Sequence, residues 1–166
     1  MLSSGPALAA GKIGVINVER IISESDMGKE SERYMNAQFG KERDSLDKEA
    51  QSFQKKYEEA QKQAAALSDK ARIEKAQELD RLNRELMQKN DALSRKAGPV
   101  ADQIQEQIFT VINQAQENYC KANGYDMIIN MQAITYVSDA INITPAILTE
   151  VNKVWKSKGG KFKITK

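Results

Sequence analysis

The chain has 166 residues, a net charge of +2 at neutral pH, no histidine and a single cysteine. Aromatic residues make up 6% and charged residues 29% of it, a balance that suits elongated helices better than a compact globule. With no histidine, and with Cys120 lacking any partner in the chain, most nucleophilic, metal-assisted and disulfide chemistry is excluded at the outset.

Residues 1–11 read as a signal-peptide remnant or a flexible N-terminus. Ala7-Leu8-Ala9 has the small-x-small form that ends a secretory signal, but no basic or long apolar stretch precedes it. Lys12–Val18 is a β-branched run bounded by glycine and polar residues, which predicts a strand. Glu19–Ser25 follows as a short helical turn, and Asp26 is placed to cap the helix after it.

Residues 28–119 carry the pattern of a helical hairpin. Phe39, Leu46, Phe53, Ala60 and Leu67 recur every seven residues, with Ala50, Tyr57 and Ala64 four residues later, which predicts a coiled-coil seam. Ala66–Lys70 forms the reversal, with Ser68 or Asp69 as the next cap. Leu79, Leu82, Leu86, Leu93, Ala97, Val100, Ile104, Ile108, Val111 and Ala115 continue the apolar face on the return. The outgoing helix, Gly28 to Ala66, would span about 58 Å at about 1.5 Å per residue. The seam is thin in alanines, with Arg43 and Lys89 near it, so it reads either as a coiled coil weakened by drift or as an arm that flexes. Gly98-Pro99 interrupts the backbone pattern but not the apolar one. That predicts a kink rather than a stop, and makes the pair a candidate hinge or a local packing defect.

Residues 120–157 return to the body. Asn123-Gly124 is a helix stop. Tyr125–Met131 and Ile134–Val137 predict two strands, and Thr144-Pro145 the start of a last helix, Ala146–Trp155, with Ile147, Leu148, Val151, Val154 and Trp155 on one side. The fold class is therefore α+β, a long antiparallel helical hairpin inserted in a small β-strand body formed by residues 12–27 and 120–157. About sixty residues of body are too few for a robust core of their own. The body is expected to oligomerise into a shared barrel through Ile13, Val15, Ile16, Val18, Ile128, Ile129, Tyr136 and Val137.

Charge offers two clusters. Lys55, Lys56, Lys62, Lys70, Arg72 and Lys75 gather with Leu67 at the hairpin tip as candidate contacts for a client. Glu58, Glu59, Asp69 and Glu74 stand among them, so a solvated face of i,i+4 pairs also accounts for the pattern. Residues 158–166 form a basic C-terminal tail, continuing from Lys153 and Lys156 through Lys158, Lys161, Lys163 and Lys166. It reads as a disordered solubilising tail that could touch an anionic membrane surface, nucleic acid or acidic clients by charge alone. With only Trp155 and Phe162 nearby and no arginine, specific nucleic-acid recognition is not expected. Gly159-Gly160 does not open a helix after a strand, so no phosphate loop is present, and no cofactor or metal is expected. The methionines form no single stripe, and no segment is long or apolar enough to span a membrane.

The opening strand Lys12–Val18, the Ala/Gln/Lys/Glu-rich hairpin and the closing block Gly124–Val154 together resemble the Skp (OmpH-like) family of periplasmic chaperones. The resemblance covers about Lys12 to Trp155, and its most specific part is the closing block. It implies a homotrimer whose strands build a central barrel, with three helical arms that enclose unfolded outer-membrane proteins. It also implies a non-enzymatic, ATP-independent holdase of the periplasm. The interleaved charges depart from the strongly basic arms typical of that family. The alternative is a structural coiled-coil adaptor that tethers partners through the arm tip, with nonspecific nucleic-acid binding a distant third reading.

Overall fold

The computed structural model describes residues 11–165, so the expected signal remnant lies almost wholly outside the described residues. They divide into two compact units, the hairpin residues Arg33–Gln103 and the remainder.

In the second of these, strand β1 (Ile13–Ile16) pairs in parallel with β2 (Met127–Asn130), with Ile13 opposite Met127 and Ile16 opposite Asn130. Parallel neighbours need a crossover, and here the chain supplies α1 (Val18–Glu24), α2 (Asp26–Gln63) and α3 (Asp69–Asn123) between them. On the other edge of β1, the Ile143 N–H donates to the Val15 carbonyl at 2.9 Å. The approach is so close that a Cβ on Gly14 would stand 2.4 Å from Ile143 Cδ1. Val15 and Ile16 are consequently 1% and 2% exposed, inside the chain's own core.

The first strand is shorter than its sequence suggests because Asn17 ends it. The Asn17 side chain accepts the Arg20 N–H at 2.9 Å and caps α1, which places Val18 in a helix rather than in a strand. Thr144 locks this corner: its hydroxyl accepts the Asn17 N–H at 2.9 Å and donates to Asn142 Oδ1 at 2.7 Å. Thr144 is thus the first residue of α4 (Thr144–Ser157) and not the cap before it, with Pro145 next in the first turn. Helix α4 packs on α1 and β1 and buries Ile147, Val151, Val154 and Trp155. Full burial of each such side chain contributes about 1.5–3 kcal/mol. Ile104, Ile108, Val111, Ile112 and Ala115 of α3 complete the core with Ile21 and Met27.

The expected cap of α2 is displaced by one residue. Ser25, fully buried, accepts the Gly28 N–H on Oγ at 3.0 Å, and Asp26 is instead the first helical residue. The α1–α2 corner is tight: a Cβ on Gly28 would lie 1.7 Å from the Ile22 carbonyl oxygen. Only glycine fits there.

The strand expected at Ile134–Val137 is absent. A single 3-10 turn, Met131–Ala133, follows β2 and draws the Ile134 N–H onto the Met131 carbonyl. Tyr136 and Val137 lie in irregular chain, Tyr136 being 83% exposed. The body is therefore helices around a two-stranded parallel sheet, not a β-rich unit.

Two helix ends turn on left-handed glycines. Gly124, at φ 67°, closes α3 as expected, with the Tyr125 N–H reaching back to the Cys120 carbonyl at 3.1 Å. Gly159 and Gly160, at φ 97° and 63°, close α4 and reverse the chain. The segment after them is docked rather than free. Phe162 lies 4.8 Å from Trp155 between ring centroids, and Gln107 grips the Lys163 backbone twice, donating to its carbonyl at 2.9 Å and accepting its N–H at 3.0 Å.

The hairpin unit pairs α2 with α3 around a turn at residues 64–68, and the Ala71 N–H donates to Ser68 Oγ at 3.3 Å, making Ser68 the cap. Helix α3 runs through Gly98-Pro99 without interruption. No residue of Arg33–Gln103 is buried.

Candidate functional site

The expected contact residues lie on a hairpin whose seam is thin. Phe39, Leu46, Phe53 and Ala60 face inward and half-buried as their heptad requires, and Ala64 follows Ala60 at the expected spacing, but after Leu46 and Phe53 the second seam position falls three residues on, not four. Glu49 and Lys56 are half-buried there, while Ala50 and Tyr57 are exposed. The charged pair works because the return helix answers it: Lys89 Nζ meets Glu49 at 2.6 Å, and Lys56 Nζ meets Glu78 at 3.5 Å. Lys96 and Glu42 add a third cross-hairpin pair at 3.1 Å. Charge pairs thus bridge the two helices where apolar area is scarce.

At the tip the small residues leave a gap. Tyr57, Ala60, Ala64 and Leu67 face Ala76 and Leu79 around a hollow of about 210 Å³, rimmed by Arg72 and Lys75. A second hollow of about 130 Å³ lies between Phe53, Leu82 and Leu86. Both expose apolar carbon to solvent, the first beside Arg72 and Lys75 and the second beside charge of each sign, Glu49, Lys56 and Glu85.

The expected tip cations are brought to this end of the hairpin but are largely neutralised. Lys75 pairs with Glu78 at 2.9 Å, Arg72 with Asp69, and Lys70 with Glu74 at 4.0 Å. The hydrogen bond from Lys75, then its charge and that of Lys56, hold the Glu78 carboxyl below the ordinary glutamate value of 4.5. Lys55 and Lys62 stay exposed. Leu67 sits half-buried in the hollow, whose other lining alanines were legible in the sequence only as weak seam residues. The run Ala64-Ala65-Ala66 with Ala71 and Ala76 was the available signal.

The expected oligomerisation residues split into two groups. Val15 and Ile16 belong to the chain's own core and are not offered to a partner. Ile13 and Tyr136 are exposed, Val18 and Val137 half-buried, and two residues outside the expected set, Met127 opposite Ile13 in the sheet and Ile141, are exposed as well. Ile128 and Ile129 are half-buried, and among the described residues β2 pairs with β1 alone. Apart from its chain neighbours, Gly98 has nothing within 4 Å of where a Cβ would stand, so tertiary packing does not require glycine there. Burial raises the Cys120 thiol above its ordinary value, which keeps it protonated. Among the described residues no cluster could hold a metal, and no helix is long and apolar enough to cross a membrane.

Against known proteins, the chain matches the family described as Outer membrane protein (OmpH-like) over residues 12–151. It is 22% identical over 157 residues to the chaperone protein Skp of Yersinia enterocolitica, spanning 90% of this chain and 92% of that one. It is 24% identical over 155 residues to the chaperone protein Skp of Photorhabdus luminescens, spanning 89% and 90%. A solved OmpH-like structure from Caulobacter crescentus CB15 aligns with 100% of this chain and 95% of that one at 14% identity. Its TM-score of 0.49 is too low to carry a fold argument.

Proposed function

The chain belongs to the OmpH-like family, and from that premise we propose that it is an ATP-independent periplasmic holdase for unfolded outer-membrane β-barrel proteins. The observation that carries this reading is the hairpin, in which no residue from Arg33 to Gln103 is buried although Phe53, Leu82, Leu86 and Leu79 line it. Such a surface offers half-exposed carbon and alternating charge along its length. A barrel protein awaiting insertion exposes alternating apolar strands prone to edge-to-edge pairing. Many weak contacts to a surface of this kind hold such a chain without imposing a fold. Adaptable packing serves varied clients better than a shaped pocket does.

In this proposal several copies associate through the sheet region, where Ile13, Met127, Tyr136 and Ile141 are exposed and β2 pairs, among the described residues, with β1 alone, and three hairpins wall off one client. The tip hollow around Leu67, with Lys55, Lys62, Lys70, Arg72 and Lys75 about it, is the candidate client contact, and Gly98-Pro99 the candidate hinge. Release needs no nucleotide, because membrane insertion gives the client a more stable destination. The adaptor alternative requires a rigid, well-packed seam, and the absence of burial along the hairpin disfavours it.

The test is light scattering of an outer-membrane barrel protein diluted from urea, with this protein present and ATP absent. Suppression at about one trimer per client with a co-eluting soluble complex supports the holdase. Unsuppressed aggregation, from protein shown to be folded and oligomeric, would sink it for that client.

A further inference from the structure

We propose that Trp155 and Gln107 form a second client site, which the chain's own C-terminal strap occupies as a tethered competitor. The ligand is an extended polypeptide segment with apolar residues at alternate positions, one of them aromatic. The inference deepens the holdase reading and rests on it for the source of such a segment.

The strap shows what fits. After Gly159 and Gly160 reverse the chain, Phe162 and Ile164 are half-buried while Lys161, Lys163 and Thr165 are exposed. That alternation is the mark of an extended strand with one face covered. Yet among the described residues the sheet holds only β1 and β2, and no strand pairs with the strap. A glutamine side chain on α3 takes the place of one. The Gln107 amide donates to the Lys163 carbonyl at 2.9 Å and accepts the Lys163 N–H at 3.0 Å. A residue on a neighbouring antiparallel strand exchanges the same two bonds. Both bonds go to backbone, so they leave the identity of the gripped residue open. Selection falls to the inward side chain before it, where the Phe162 ring lies 4.8 Å from that of Trp155. An extended backbone with an aromatic residue facing inward is therefore what this surface reads.

Strands of a membrane barrel carry that pattern, apolar and polar residues in alternation with aromatics at both borders. The strap itself lies beyond residue 151, where the matched family region ends. A ring contact and two exposed hydrogen bonds are weak anchors in water. Its tether sets an effective concentration in the millimolar range, which a client segment of the same pattern must exceed to displace it.

Fluorescence anisotropy tests the site with a fluorescein-labelled peptide of sequence Thr-Tyr-Thr-Phe-Thr-Ile-Thr. With its competitor removed, F162A should bind the peptide about tenfold tighter than the parent does. F162A/Q107A should lose that gain, and a peptide with serine at the three apolar positions should not bind. In the parent, saturating peptide should quicken exchange of the Lys163 amide, which Gln107 holds while the strap is docked. Four results would each overturn the proposal: no gain in F162A, an undiminished gain in F162A/Q107A, equal binding of the serine peptide, or a Lys163 amide that peptide leaves unchanged. Suppressed aggregation of the barrel protein beside any of these failures would overturn the site and leave the holdase reading intact. Peptide binding as expected beside unsuppressed aggregation would uphold the site and overturn that reading.

Discussion

The two units of this chain are built from similar helices and held by different forces. Outside the hairpin, Ile21, Met27, Ala115, Ile147 and Val151 are completely buried, and polar corners such as Ser25 and Thr144 are buried with their partners. Inside it, nothing is buried, and Glu49–Lys89, Lys56–Glu78 and Glu42–Lys96 bridge a half-exposed seam. The contrast teaches that a helix of one chain can be fixed at one end and merely guided further along. Burial of carbon gives a single tight packing, whereas exposed ion pairs are worth only about 0.2–1 kcal/mol each and tolerate rearrangement.

Gly28→Ala should break the contrast most severely. The added methyl meets the Ile22 carbonyl, which neither the buried Ser25 cap nor the corner can yield. A loss of about 4 kcal/mol or more is expected, read as a collapse of the urea midpoint followed by Trp155 fluorescence. Paired truncations sharpen the comparison. Ile147→Ala should cost about 3–4 kcal/mol, and the half-buried Leu82→Ala about 1 kcal/mol; equal costs would show the hairpin seam to be as well packed as the core.

Gly98→Ala should have a much smaller effect. The helix-propensity gain of about 0.5–1 kcal/mol is opposed by the clash of the new Cβ with the ring of Pro99, so the urea midpoint should move little. If the glycine also serves as a hinge, the variant should protect fewer sizes of client in the scattering assay.

Acidification gives the smallest effect. Glu78 has its pKa lowered by Lys75 and Lys56, so its contribution is present above the unfolded-state value and is lost as pH falls through the folded one. Amide exchange near Glu78 should therefore quicken on acidification below the ordinary carboxylate range, while amides around Ile147 hold. A Glu78→Gln variant should remove the difference.

The hairpin was legible because its heptads are local, and the return face from Leu79 to Ala115 stands as its spacing predicts. The offset from Ala50 and Tyr57 to Glu49 and Lys56 was not, because apolar counting passes over charged residues that are satisfied only across the seam. In the body, Asn123-Gly124 announced a helix end through its own geometry. The docking of Phe162 and Lys163 depends on Trp155 and on Gln107, a residue far away in sequence that carries no mark of its role. Val18 and Tyr136-Val137 have strand composition, yet a cap at Asn17 and a turn at Met131 outrank it. The tip hollow follows the same rule: alanines record what is missing, and only the assembled helices show the gap.

The parallel pairing of β1 with β2 also has a temporal side. Lys12 and Asp126, which join just before the strands begin, are 114 positions apart in the chain. Every contact within the hairpin unit Arg33–Gln103 is closer in sequence, so closing it costs less chain entropy than bringing the strands together. During synthesis β1 leaves first and must wait, with Val15 and Ile16 uncovered, until nearly the whole polypeptide has followed. A protein read as a guardian of unfinished chains thus begins its own life as one.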